Sequence, residues 1–110
     1  MSSYVPKQGD LVWLSFNPQA GHEQAGIRPA LCLSPSNYNG ATRLGLFCPV
    51  TTKSKGYPFE VAIPDGLPIS GVALSDQLKN LDWSVRNIKF ICESPNSFVE
   101  DVKSQFLKLL

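Results

Sequence analysis

Three short polar stretches hold most of the side chains able to do chemistry. The first contains Glu23, Gln24 and Arg28, within Gly21-His22-Glu23-Gln24-Ala25-Gly26-Ile27-Arg28-Pro29. The second is Thr51-Thr52-Lys53-Ser54-Lys55, and the third is Ser75-Asp76-Gln77 followed by Lys79. Arg28 offers a planar fork of donors suited to a phosphate. The Thr51 and Thr52 hydroxyls, with nearby backbone N–H groups, can donate to the same oxygens. Glu23 is a candidate base, or a carboxylate that orients the arginine. These are the parts needed to cut RNA without a metal. A ribose 2′-hydroxyl attacks the adjacent phosphate, the charged pentacoordinate state is stabilised, and the 5′-oxygen leaves. The residue types alone leave plainer readings open. Arg28 could pair with Glu23 across its loop, the threonines could simply end a strand, Lys53 and Lys55 could be solvated, and Asp76 could cap a turn.

Other chemistries find less material. There is no Ser/His/Asp set, glycine-rich phosphate loop or metal-ligand spacing. His22 is the single histidine. Cys32, Cys48 and Cys92 are odd in number, lie in apolar stretches and share no C-x-x-C spacing, which points to buried free thiols. No metal and no cofactor are expected. A net charge of +1 excludes the broad basic footprint of a duplex-DNA binder, so any nucleic-acid contact must come from a local groove. No apolar run reaches membrane-span length, and the N-terminus lacks a signal-peptide core, so a cytoplasmic location is expected.

The elements that must position these groups are short. With 110 residues, a single domain over 1–110 is expected. All eight glycines and eight of the nine prolines fall in the first 71 residues, which breaks that region into pieces as in an all-β domain. Strands are expected over 10–16, 30–33, 43–50, 58–63 and 71–75, the last with a candidate extension through 76–81, and a further strand over 85–92. Strand 10–16 is apolar on both faces, as if covered on both sides. Pro49 should place the end of its strand at an edge or in an irregular stretch. Residues 35–40 read as a turn or a single helical turn. After Ser94 as a cap and Pro95 at the first helical position, Phe98, Val102, Phe106 and Leu109 recur at helical spacing. The sum is a mainly β, barrel-like sheet with one helix packed on it.

The motifs also resemble a known family. Val5-Pro6, Gly9-Asp10-Leu11-Val12-Trp13, the E-Q-x-G-x-R-P block at 23–29, the T-T-x-S-K-G-Y-P-F-E-V block at 51–61 and Gly71-Val72-Ala73-Leu74-Ser75-Asp76-Gln77 are similar to the MazF/PemK-type toxins of bacterial toxin–antitoxin pairs. The resemblance covers most of the chain as far as Trp83. It implies an SH3-like barrel of the CcdB/PemK type with a C-terminal helix, working as a homodimer. It implies a sequence-specific, metal-independent endoribonuclease acting on single-stranded mRNA, leaving 2′,3′-cyclic phosphate and 5′-hydroxyl ends. It implies a MazE-like antitoxin that lays an acidic segment over the RNA groove, and contact with DNA only through that complex. The catalytic arginine and threonine of the family fall on Arg28 and Thr51, and its loop glutamate on Glu23. RNA contacts are expected from Asn17, Gln24, Thr52, Lys53, Ser54, Lys55, Asp76, Gln77 and Lys79, on loops around 17–21, 52–55 and 76–79. Two alternatives remain: a gyrase poison on the same fold, as in CcdB, and a passive SH3-like binding module. The CcdB family acts through a C-terminal Trp-Gly-Ile, whereas this chain ends Leu-Lys-Leu-Leu.

Overall fold

A computed structural model describes residues 4–18 and 21–110. Among the described residues, seven antiparallel strands and two α-helices follow in the order β1 (Asp10–Ser15), β2 (Ile27–Cys32), α1 (Ser36–Thr42), β3 (Leu44–Thr51), β4 (Glu60–Ala62), β5 (Val72–Leu74), β6 (Lys79–Asp82), β7 (Lys89–Glu93) and α2 (Asn96–Leu107). The sheet path runs β4-β5-β3-β2-β1-β7, with β6 on the first half of β3. β3 therefore changes partner along its length. Its Leu44–Phe47 half pairs with β6, and Val50 and Thr51 pair with β5. This shared strand folds the sheet over, as the barrel-like expectation required.

The alternation read from 10–16 maps onto two cores. Leu11 packs with Leu31, Cys48 and Val50 beneath Phe98, Val99 and Val102 of α2. Val12, Leu14 and Phe16 point the other way, against Phe47 and Trp83. β1 is thus covered on both faces, except at Trp13, which is exposed. Removing each such large side chain from water contributes about 1.5–3 kcal/mol, so the two clusters anchor the strands that carry the site.

Of the edge or irregular stretch expected for Pro49, the edge is not found; it is buried in the most highly paired strand, where the outer partner changes. The Leu46 carbonyl accepts from Leu33 N–H, so even-numbered residues of β3 address β2. Pro49 addresses the opposite side, where β6 pairing has ended at Phe47 and β5 pairing has not begun until Val50. Its missing N–H thus falls in a gap between two partner strands, where a ladder bond is not required.

Other boundaries also move. β2 begins at Ile27 rather than 30, which puts Arg28 and Pro29 on a strand instead of in a loop. β4 and β5 are three residues each, and β7 starts at Lys89 rather than 85. The extension over 76–81 is instead a 3-10 turn, Ser75–Gln77, and then β6. A 3-10 turn also covers Trp83–Val85. Pro95, not Ser94, occupies the N-cap of α2, and its carbonyl accepts from Phe98 and Val99. The Ser94 hydroxyl donates instead to the Gly9 carbonyl at 2.7 Å, a tertiary partner that wins over local capping. Phe98 and Val102 are buried as the spacing predicts, with Val99 beside them, while Phe106 is only half-buried and Leu109 lies beyond the helix and is exposed.

Candidate active site

The site begins with a broken ladder. β2 and β3 pair at Ala30↔Pro49, Leu31↔Cys48 and Cys32↔Phe47. Continuing that register sets Pro29 opposite Val50 and Arg28 opposite Thr51. Pro29 has no N–H to give the Val50 carbonyl. The Arg28 side chain supplies it: Nη1 donates to Val50 O at 3.3 Å, while Nε donates to Ala25 O at 2.9 Å. Two bonds from one planar group fix its plane and leave the remaining guanidinium N–H groups for a ligand. The strands part where the ladder stops. A cleft of about 450 Å3 opens there, lined by Arg28, Thr51, Thr52, Lys53, Lys55 and Gln24, among others.

Thr51 is nearly buried at the end of β3. Its Oγ1 accepts the Lys53 N–H at 3.1 Å, which turns the chain out of the strand and leaves the hydroxyl proton free to donate. Its backbone is pressed against Gly71, whose φ is +123°. A Cβ at Gly71 would lie 2.4 Å from the Thr51 carbonyl oxygen, so glycine is required for this approach. Burial lowers the pKa of Arg28 from its ordinary value, yet a guanidinium remains charged at neutral pH.

An adjoining cleft of about 270 Å3 shares Gln24, Thr51, Lys53 and Lys55 and adds His22, Tyr57, Glu60, Asp76 and Gln77. The three polar stretches therefore meet, as the chemistry required. The Gln24 N–H donates to Gln77 Oε1 at 3.1 Å, tying the first loop to the 3-10 turn. Lys79 Nζ lies 2.6 Å from Glu23 Oε1. Glu23 is engaged by Lys79 and Arg28 donates to two backbone carbonyls, so the plainer reading in which Arg28 pairs with Glu23 is not how the loop is held.

Two of the expected RNA-contacting residues also brace loops. Asn17 Oδ1 accepts the Gly26 N–H at 3.0 Å, and the Asn17 carbonyl accepts from Arg86 Nη1 at 2.8 Å, closing the base of the loop. Ser54 Oγ donates to Glu60 Oε1 at 2.7 Å. Within the 17–21 loop, residues 19 and 20 lie outside the described residues. Thr52, Lys53, Lys55, Asp76, Gln77 and Gln24 all line one or both clefts. Gly71, Glu60 and Arg86 were not singled out from sequence. The signal for Glu60 was its place inside the 51–61 motif, where it reads as an ordinary strand residue.

A larger cleft, about 990 Å3, lies between Tyr4, Trp83 and Phe90. It is lined by none of the groups above, so size does not mark the chemistry here. Among the described residues, no three His, Cys, Asp or Glu side chains gather as a metal-binding group. No helix among the described residues is long and apolar enough to cross a membrane.

Residues 7–110 match the family described as PemK-like, MazF-like toxin of type II toxin-antitoxin system. The chain belongs to this family. It is 54% identical over 86 residues to the endoribonuclease toxin MazF of Escherichia coli K12, covering 78% of this chain and 77% of that one. It is 31% identical over 108 residues to the Escherichia coli endoribonuclease PemK, covering 94% and 81%. Its fold is similar to that of MazF from Deinococcus radiodurans, with TM-score 0.95, 51% identity and 97% of both chains covered. A MazE–MazF structure from the same organism matches with TM-score 0.86, 45% identity and coverage of 97% and 96%. These relatives give no support to the gyrase-poison alternative. The MazF/PemK fold also accounts for the mainly β class and barrel-like sheet described above.

Proposed function

We propose that this MazF/PemK-family chain is a metal-independent endoribonuclease toxin that cuts single-stranded mRNA. What carries the reading is the cleft where Arg28 and Thr51 face each other across the interrupted β2–β3 ladder. A phosphate seated there receives the free N–H groups of Arg28 and the Thr51 hydroxyl. The 2′-oxygen bonds to phosphorus as the bond to the 5′-oxygen breaks. The 2′-hydroxyl proton leaves to a base, and the 5′-oxygen takes up a proton. Arg28 neutralises the phosphorane and sits where it can donate to the leaving oxygen. Burial, by lowering its pKa, makes that donation easier. Glu23, paired with Lys79, orients the first loop across the groove. Lys53, Lys55, Gln24, Thr52, Asp76 and Gln77 line the path of the flanking nucleotides.

Three partners belong to this reading. A MazE-like antitoxin covers the groove with an acidic segment that meets Lys53 and Lys55. A second copy of the chain pairs through apolar surface that includes exposed Trp13 and Phe90. DNA is met only through the antitoxin complex. The setting is the bacterial cytoplasm.

The test is cleavage of a long single-stranded RNA in EDTA, with 5′-hydroxyl ends mapped by sequencing. Arg28→Ala and Thr51→Ala are expected to abolish cutting while melting cooperatively. Full activity in Arg28→Ala removes Arg28 from the site. Light scattering at micromolar concentration tests the dimer, and a monomer counts against it.

A further inference from the structure

Glu60 has a hydrogen-bonding pattern that its place on a three-residue strand does not require. Its carboxylate collects three donors from one loop: Ser54 Oγ at 2.7 Å, Lys55 N–H at 2.9 Å and Gly56 N–H at 3.1 Å. All three belong to the stretch that leaves Thr51, and none is satisfied by a strand partner. The same bonds hold the Glu60 carboxyl below its ordinary range.

The carboxylate is itself on firm ground. Glu60 pairs with Leu74 in the β4–β5 ladder. The preceding carbonyl, Phe59 O, accepts both the Ser75 N–H at 3.1 Å and the Ser75 hydroxyl at 2.6 Å. Ser75 opens the 3-10 turn whose Gln77 holds Gln24. Glu60 therefore ties the lysine-bearing loop to the turn that already carries the opposite loop. Gly56, at φ +73°, lets the chain bend back so that successive N–H groups face one acceptor.

We infer that Glu60 is a positioning residue of the active site, holding residues 53–57 so that Lys53 and Lys55 border the cleft beside Thr51 and fix the nucleotides flanking the scissile phosphate. This rests on the reading of the cleft as an RNA-cleaving site. Glu60 does not act on the reacting atoms. Its loss loosens the loop, so substrate binding and cleavage-site choice change while the chemical step does not.

The test compares wild type, Glu60→Ala, Glu60→Gln and Ser54→Ala by two readouts. The first is amide hydrogen exchange at Lys55 and Gly56, which needs no RNA. Both amides are expected to exchange at least about tenfold faster in Glu60→Ala. The second is cleavage kinetics on an RNA whose cut sites have been mapped. KM is expected to rise roughly tenfold with kcat within about threefold, and cutting to spread to more sites. Glu60→Gln keeps one acceptor and falls between wild type and Glu60→Ala. Ser54→Ala removes a single bond, leaves the backbone pair, and gives a smaller KM rise of about two- to threefold. It remains informative if Glu60→Ala does not fold. Unchanged exchange overturns the clamp, and a fall in kcat at constant KM overturns the positioning role. If the wild type cuts no RNA, the proposed function falls, while the exchange comparison still decides whether Glu60 holds the loop.

Discussion

Replacing Gly71 by alanine isolates how tightly Thr51 must be held. The new Cβ would stand 2.4 Å from the Thr51 carbonyl oxygen and 3.0 Å from its carbon. A carbon–oxygen contact settles near about 3.3 Å, so the β3–β5 pair must part by roughly 0.9 Å. Two costs combine. A side chain at φ +123° is strained by about 1–3 kcal/mol, and forcing apart packed backbone costs about 1–3 kcal/mol more. At about 4–8 °C per kcal/mol for a domain of this size, Tm falls by roughly 8 °C or more. The displacement reaches Thr51 directly, and a shift near 1 Å in a positioned group costs about a hundredfold in rate. Gly66→Ala is the control: φ there is +92° and nothing lies within 4 Å of its Cβ. It carries the backbone strain alone, so it is expected to lose about 1–3 kcal/mol of stability and no activity. The assay pairs thermal melting with single-turnover RNA cleavage. A Gly71→Ala protein that melts within about 2 °C of wild type and cuts within about twofold refutes the argument, because the clash would then be absorbed without moving Thr51.

Arg28→Lys keeps the charge but cannot reproduce the fork that serves Ala25 O and Val50 O, so cleavage is expected to fall by about a hundredfold or more; wild-type kcat would show that charge alone suffices. Gln77→Ala orphans the Gln24 N–H and is expected to raise KM for RNA, whereas Gln77→Glu keeps an acceptor and restores much of it; equal KM in all three proteins contradicts the latch. Burial pushes the Cys32 thiol up to about 11 and the Cys48 thiol up to about 12. Their folded-state pKa values are raised, so the associated stability is full below the ordinary thiol range near 8.5 and is lost as pH rises toward 11–12. Urea midpoints that do not fall between pH 8 and 11 contradict this. An Ellman titration of native protein at pH 8 should likewise leave Cys32 and Cys48 unreacted.

Much of the site was legible in the chain because its groups come in contiguous blocks. Arg28 in E-Q-x-G-x-R-P and Thr51 at the head of T-T-x-S-K-G-Y-P-F-E-V announce themselves by type and spacing. What stayed hidden depends on register. Nothing local says that Pro29 faces Val50, and so nothing says why an arginine precedes a proline there. Pro49 reads as an edge or an irregular position, and nothing local chooses between them, because the strands that leave it in a gap, β5 and β6, lie about 25–30 positions further on. Ser94 has the right type for a cap, but the Gly9 carbonyl claims its hydroxyl from 85 positions away. Asn17 and Ser54 were polar and well placed, and only their partners show that each also braces a loop. Glu60 escaped notice for the converse reason: a carboxylate at the start of a strand is unremarkable until its three donors are seen.

The pairing of β1 with β7 bears on how the toxin is made. Gly9 waits for Ser94, its hydrogen-bonding partner 85 positions later, and Asp10 waits for Glu93. At about 5–20 residues per second, synthesis leaves the outer edge of β1 uncovered for roughly 4–17 s after that strand is formed. Arg28, Thr51 and Gln77 are all translated within that interval. The cutting groove therefore has all its side chains before the sheet behind it is closed. The second edge of β1 is therefore covered only once β7 has been made, after every groove residue named above.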